Sequence, residues 1–130
     1  MRLTSNTTAL RRLSASELRP FQSYRNDPKE ACYQCWGQMD DSTAADFLAY
    51  MSSIAPLMEP GRRTQLAVTE ASSNKLIGDV GLRLSEDGYA AELGVTLARA
   101  ARGQGHATRA MNLAALLLFE TTDLAQIDVR

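Results

Sequence analysis

Apolar side chains recur along this chain with two different periods, and the places where the period changes divide it into strands and helices. Thr7 to Leu13 reads as a first strand with Leu10 turned inward. Ser14 and Ser16 then offer helix caps, and Glu17 completes a capping box with Ser14. Pro20 favours the later start at Ser16, because a proline deep in a helix removes a ladder bond and clashes with the preceding turn. This helix presents Leu18, Phe21 and Tyr24 or Arg25 along one side and ends at Asn26-Asp27-Pro28. Asp41-Ser42-Thr43 caps a second helix, with Phe47, Leu48, Met51 and Ile54 on one face and a stop near Pro56. Three strands follow, Gln65 to Glu70, Leu76 to Leu84 and Tyr89 to Leu97, joined by short polar turns that make them an antiparallel meander. Gly94 inside the last of these predicts a bulge or a close approach to the backbone. A helix from about Gly105 to Phe119 and a strand over Gln126 to Val129 complete the order.

With 130 residues, 45% of them apolar and 22% charged, the chain has the size of one domain over residues 1–130 with one core. A net charge of −1 removes the basic face expected of a nucleic-acid binder, so any anion site must be local. The longest apolar run, Leu113 to Phe119, is far short of a membrane span, and the start lacks the charged-then-apolar pattern of a secretory signal. The expectation is a soluble cytoplasmic protein with no membrane partner. Cys32 and Cys35 form a C-x-x-C, but His106 is the only histidine and a structural zinc needs four ligands. Two partly buried thiols and no metal are expected. Arg11-Arg12 and Arg62-Arg63 read as solvated surface charge.

One loop carries chemistry. Arg102-Gly103-Gln104-Gly105-His106-Ala107-Thr108 joins a strand to a helix, where free backbone N–H groups and the positive end of the helix dipole converge. Gly103 and Gly105 let the backbone wrap a phosphate and adopt positive φ without strain. Arg99, Arg102, His106 and Arg109 concentrate cationic character on the same turn of an otherwise near-neutral chain. The spacing matches neither G-x-G-x-x-G nor G-x-x-x-x-G-K-[ST], so neither a dinucleotide fold nor a P-loop is indicated.

Arg102-x-x-Gly105-x-Ala107 resembles the [RQ]-x-x-G-x-[GA] signature of the GNAT superfamily of acetyl-CoA-dependent N-acetyltransferases, and the order of elements is similar to that family's over nearly the whole chain. Leu10-Arg11-Arg12-Leu13, Arg25-Asn26-Asp27-Pro28, Tyr33-Gln34-Cys35-Trp36, Ile77-Gly78-Asp79-Val80-Gly81-Leu82 and Ala91-Glu92-Leu93-Gly94-Val95 look like stretches of its ribosomal-protein N-terminal acetyltransferase branch. The resemblance implies an α/β (α+β) fold, a mixed, mainly antiparallel sheet flanked by helices. It also implies acetyl transfer from acetyl-CoA to an amine acceptor, either a protein N-terminus or a small molecule.

On that resemblance the pantothenate arm lies against Val95, Thr96 and Leu97, and Gly94 makes room for it. The pyrophosphate sits on Arg102, Gly103, Gln104, Gly105, His106, Ala107 and Thr108, with the His106 side chain as a cationic or polar neighbour. Glu92 is the candidate base that takes a proton from the amine. Tyr33 and Trp36 line an acceptor pocket or belong to the core. Family members continue with the rest of a fifth strand, a fourth helix and a hairpin, and the helix carries the general acid. The expectation is therefore a C-terminally truncated chain whose cleft lacks one wall. A CoA-binding module without catalysis and a self-associating fragment are the alternatives. The second half of the last helix is apolar nearly all round and the final strand offers an edge, so a homodimer is expected.

Overall fold

The computed structural model describes residues 2–25, 40–53, 61–121 and 126–129, with side chains through residue 120. Two strands open it, β1 (Arg2–Ser5) and β2 (Thr8–Arg12), followed by α1 (Leu18–Arg25) and α2 (Asp41–Ser53). Then come β3 (Arg63–Glu70), β4 (Leu76–Leu84), β5 (Ala90–Leu97), α3 (His106–Thr121) and β6 (Gln126–Val129). The six strands form one sheet in sequence order, antiparallel from β1 to β5 and parallel between β5 and β6. This is the mixed, mainly antiparallel sheet that the sequence leads one to expect.

The meander and the last strand fall where expected, with β4 and β6 matching residue for residue. The N-terminal end differs. Arg2-Leu3-Thr4-Ser5 pairs with β2 through a turn at Asn6-Thr7, with Asn6 at φ 54. A single leucine among polar residues gives this edge strand no readable alternation, and asparagine tolerates positive φ without the usual glycine signal. Ser14, not Ser16, is the cap: it begins a 3-10 turn over Ala15–Glu17, and the Ser14–Glu17 capping box is complete. Starting in a 3-10 turn puts Pro20 within the first turn of α1, which dissolves the conflict that favoured Ser16. Asp40 caps α2 by accepting from the Thr43 N–H at 2.7 Å, and that bond holds its carboxyl below the usual range. Arg11 is not a solvated charge, since it binds both Glu17 carboxylate oxygens at 2.8 and 2.6 Å and so ties β2 to the cap. Ile54, Pro56, the Asn26-Asp27-Pro28 stop and the Cys32/Cys35 pair lie outside the described residues.

The sheet divides the core in two. Leu10, Leu66, Val68, Val80, Leu82 and Leu93 pack against Ala110, Leu113, Ala114, Leu117 and Leu118 of α3. On the other face Leu13, Phe21, Tyr24, Ala44, Leu48 and Met51 join α1 and α2 to Ala67 and Leu76. Because helices cover both faces, β3 is buried continuously from Thr64 to Thr69 and not in alternation. Of the apolar second half of α3, Leu113, Leu117 and Leu118 are buried against the sheet, while Leu116 and Phe119 remain 50% and 55% exposed. No helix among the described residues is long and apolar enough to cross a membrane.

A fully buried carboxylate locks α1 to the sheet. Asp79 on β4 accepts from Tyr24 Oη at 2.5 Å and Gln65 Nε2 at 2.6 Å. It also accepts from Arg25 Nε at 3.2 Å and from Arg25 Nη2. Burial, and after it the Asp79 charge, raises the Tyr24 hydroxyl well above its ordinary pKa and keeps it a donor. Removing one partner of such a pair strands the other charge in the interior, at a cost of about 3–5 kcal/mol. Asp79→Asn is therefore expected to lower the urea midpoint by that much stability, and an unchanged midpoint would refute the locking role.

Candidate active site

β5 ends at Leu97, and the chain then turns through a 3-10 segment, Arg99–Ala101, before α3 begins at His106. The Ala98 N–H donates to the Ile77 carbonyl at 2.8 Å, which fastens the start of this connection to β4. Arg102 is extended (φ −76, ψ 156), and Gly103 and Gly105 sit at φ 74 and φ 81. Those two left-handed residues reverse the backbone twice, a conformation that glycine adopts at no steric cost.

The result is a run of donors. Among the described residues, none of the backbone N–H groups of Gly103, Gln104, Gly105, His106, Ala107 and Thr108 meets an acceptor of the protein. The first turn of any helix leaves orphan N–H groups, and here the glycine loop extends the series backward from the positive end of α3. Leu97, Arg102, Gly103, Gly105, His106, Ala107 and Thr108 line one cavity of about 370 Å³ at this point. An anion there finds donors already arranged around it.

Several side chains lie elsewhere than the sequence suggests. The His106 ring is buried, with Nδ1 2.7 Å from Thr8 Oγ1, so the side chain is turned to β2 and the residue offers the loop its backbone N–H. Gln104 donates from Nε2 to the Ala100 carbonyl at 3.0 Å. Arg109 donates from Nη2 to the Gln104 carbonyl at 2.7 Å and to Thr7 Oγ1 at 2.8 Å, and from Nε to Thr8 Oγ1 at 2.8 Å. A Cβ on Gly105 would stand 2.7 Å from Arg109 Nη1, so a side chain there would meet the positive φ and would also displace the guanidinium. The hint to Arg109 in the sequence is its place, a cation in the first helical turn where acids are favoured.

β5 supplies the rest. Val95 is half-buried on the α3 side, Thr96 is buried opposite Asp79, and Leu97 pairs with Gly78. Pairing with β6 runs from Ala90 to Leu93, and Gly94–Leu97 carry on past the last described residue of β6. Glu92 is half-buried between Arg83 and Asp128 on the neighbouring strands, roughly 10 Å along β5 from Val95 at a strand's rise. Gly94 makes no bulge, since it pairs in register with Gly81, and the sheet's irregularity falls between Val68 and Thr69. A glycine whose bareness the sheet needs is Gly78, where a Cβ would lie 2.2 Å from the Thr96 carbonyl oxygen. Tyr33 and Trp36 lie outside the described residues.

An acetyltransferase (GNAT) domain model matches residues 8–130. The chain belongs to the GNAT acetyltransferase family. No curated protein sequence matches it. Solved acetyltransferases repeat its fold at low identity. A GNAT family acetyltransferase from Bacillus anthracis aligns at TM-score 0.77 and 14% identity, over 92% of this chain and 67% of that one. A spermidine N-acetyltransferase from Vibrio cholerae, in complex with CoA and spermine, gives 0.72 and 21%, over 90% and 66%. An acetyl transferase from Salmonella typhimurium that modifies the N-terminal serine of a 50S ribosomal subunit protein gives 0.71 and 13%, over 96% and 71%. This GNAT chain spans about two-thirds of the length of those proteins.

Within the GNAT domain two glycines are constrained differently, and that difference is measurable. Gly103 has open space for a Cβ and only its φ of 74 to penalise one, a cost of about 1 kcal/mol. Gly78 faces backbone atoms of Thr96 and Leu97 at 2.2 and 3.0 Å, so β5 itself must move. Gly78→Ala is expected to lower the thermal midpoint more than Gly103→Ala, and the reverse order would contradict the close approach of β4 and β5.

Proposed function

We propose that this domain transfers the acetyl group of acetyl-CoA to a primary amine. The observation that carries the reading is the series of unengaged N–H groups from Gly103 to Thr108 at the start of α3, which suits a diphosphate. In this reading the backbone of Val95, Thr96 and Leu97 holds the pantothenate arm as an added strand would be held. Arg102 lends charge at the mouth of the cavity. The acceptor is an aliphatic amine, in keeping with the spermidine and N-terminal serine that similar folds acetylate.

The chemistry asks two things of the chain. Glu92 takes a proton from the ammonium form of the acceptor, directly or through water, because a protonated nitrogen has no pair to donate. A backbone N–H of β5 polarises the thioester carbonyl while the amine attacks it. The new C–N bond forms, the C–S bond breaks, the amide nitrogen gives up its second proton to solvent, and the departing thiolate takes one from solvent. The alternative, CoA binding without catalysis, shares the loop and dispenses with Glu92.

Two measurements separate these readings. Millimolar CoA is expected to raise the melting temperature, since a ligand of the folded state alone stabilises it by mass action. Gly105→Asp, which sets a negative side chain in the loop and against Arg109, is expected to abolish the shift, and an unchanged shift would remove the loop as the diphosphate site. Glu92→Gln is expected to keep the CoA-induced shift while thiol release from acetyl-CoA in an amine mixture slows on the order of a hundredfold. Equal rates at neutral pH would remove Glu92 as the base, and no release by the unaltered chain would leave the binding module.

A further inference from the structure

α3 begins with a charge of the wrong sign. A helix N-terminus carries about half a positive charge, which favours acids and opposes cations in the first turn. No acidic residue stands in the first turn of α3, and Arg109, its fourth residue, points back toward the loop. Nothing is gained there by helix electrostatics, so the position must be explained by what the guanidinium holds.

It holds three things at once. The Gln104 carbonyl lies in the middle of the glycine loop, and the Thr7 and Thr8 hydroxyls lie on the β1–β2 hairpin, on the opposite side of α3's first turn in sequence by about a hundred residues. Thr8 Oγ1 accepts from Arg109 Nε and also hydrogen-bonds His106 Nδ1, 2.7 Å away. His106 and Arg109, the first and fourth residues of α3, are thereby pinned to one threonine of β2. The planar fork of the guanidinium suits this task, and an ammonium cannot reach all three acceptors in their fixed directions.

We propose that Arg109 is a positioning residue for the anion loop, acting through Thr7 and Thr8, and that the N-terminal hairpin is thus part of the diphosphate site without touching the ligand. A segment with glycines at Gly103 and Gly105 has much backbone freedom to lose when it closes on an anion. Holding the Gln104 carbonyl in place removes that loss before the ligand arrives, which raises affinity without a new contact. The inference rests on the loop being the CoA diphosphate site, but the order of the loop is measurable without any ligand.

The test uses the whole chain. Backbone order parameters for Gly103 and Gly105, and the dissociation constant for CoA by calorimetry, are compared in the unaltered protein, Arg109→Lys, Thr8→Val and Thr8→Ser. Arg109→Lys and Thr8→Val are expected to lower the order of both glycine amides, leave the amides of β3 and β4 unchanged, and weaken CoA at least tenfold. Thr8→Ser, which keeps the hydroxyl, is expected to restore both readings. If Arg109→Lys fails to fold, Thr8→Val, close to threonine in volume, carries the test. Loop order and CoA affinity unchanged in Thr8→Val, or lost equally in Thr8→Ser, would overturn the proposal. Absence of CoA binding by the unaltered chain would instead sink the diphosphate reading, and loop order alone would then decide whether Arg109 positions the loop.

Discussion

The buried carboxylate of Asp79 is the constraint around which the two halves of this domain are arranged. It stands on β4 with no exposure to solvent, so every lone pair it carries must be satisfied from within. Tyr24 and Arg25 at the end of α1 and Gln65 on β3 do so, and in doing so they fix α1 over the sheet. The same β4 residues face β5, with Asp79 beside Thr96 and Gly78 beside Leu97. The strand that leads into the glycine loop is therefore set against a part of the sheet that has little freedom to shift. An ion pair of this kind adds little net stability, yet it admits few alternative packings, because any other arrangement strands a charge.

What the loop offers chemically follows from that placement. β5 ends beside Gly78 of β4, and the backbone then reverses through two left-handed glycines, leaving donors without acceptors at the start of α3. The chain shares its fold with solved acetyltransferases and belongs to the GNAT family. In the proposed reading, affinity for an anion at this loop comes from backbone geometry and the helix terminus more than from net charge, as suits a chain that carries −1 overall.

Elements with a strong period were legible in the sequence. β4, β5, α3 and β6 each combine an apolar pattern with flanking turn residues, and the structure departs from their expected bounds by a residue or two. The glycine loop was legible because its chemistry is local, a few consecutive residues at a strand-to-helix junction. What escaped depends on partners distant in sequence. β1 has one leucine to declare it and owes its place to pairing with β2. Arg11 looks like surface charge until Glu17 is brought beside it. Arg25 and Asp79 each lie in a family-like stretch, but only the fold shows that the two stretches meet. Gly94 drew attention as an irregular position in a strand, whereas the register shifts between β3 and β4, where Ile77 beside Gly78 is passed over in the pairing.

The tie between Arg109 and the hairpin also bears on how the molecule assembles. Thr7 and Thr8 are separated from Arg109 by 102 and 101 positions, nearly the full described length. Contacts of such range carry an entropy of closing the intervening chain that the sheet between them must offset. The hairpin emerges early in synthesis and its partner arginine only after five strands have been made. A loop fastened in this way depends for its shape on the whole sheet that lies between its two anchors, so loosening that sheet also loosens the loop.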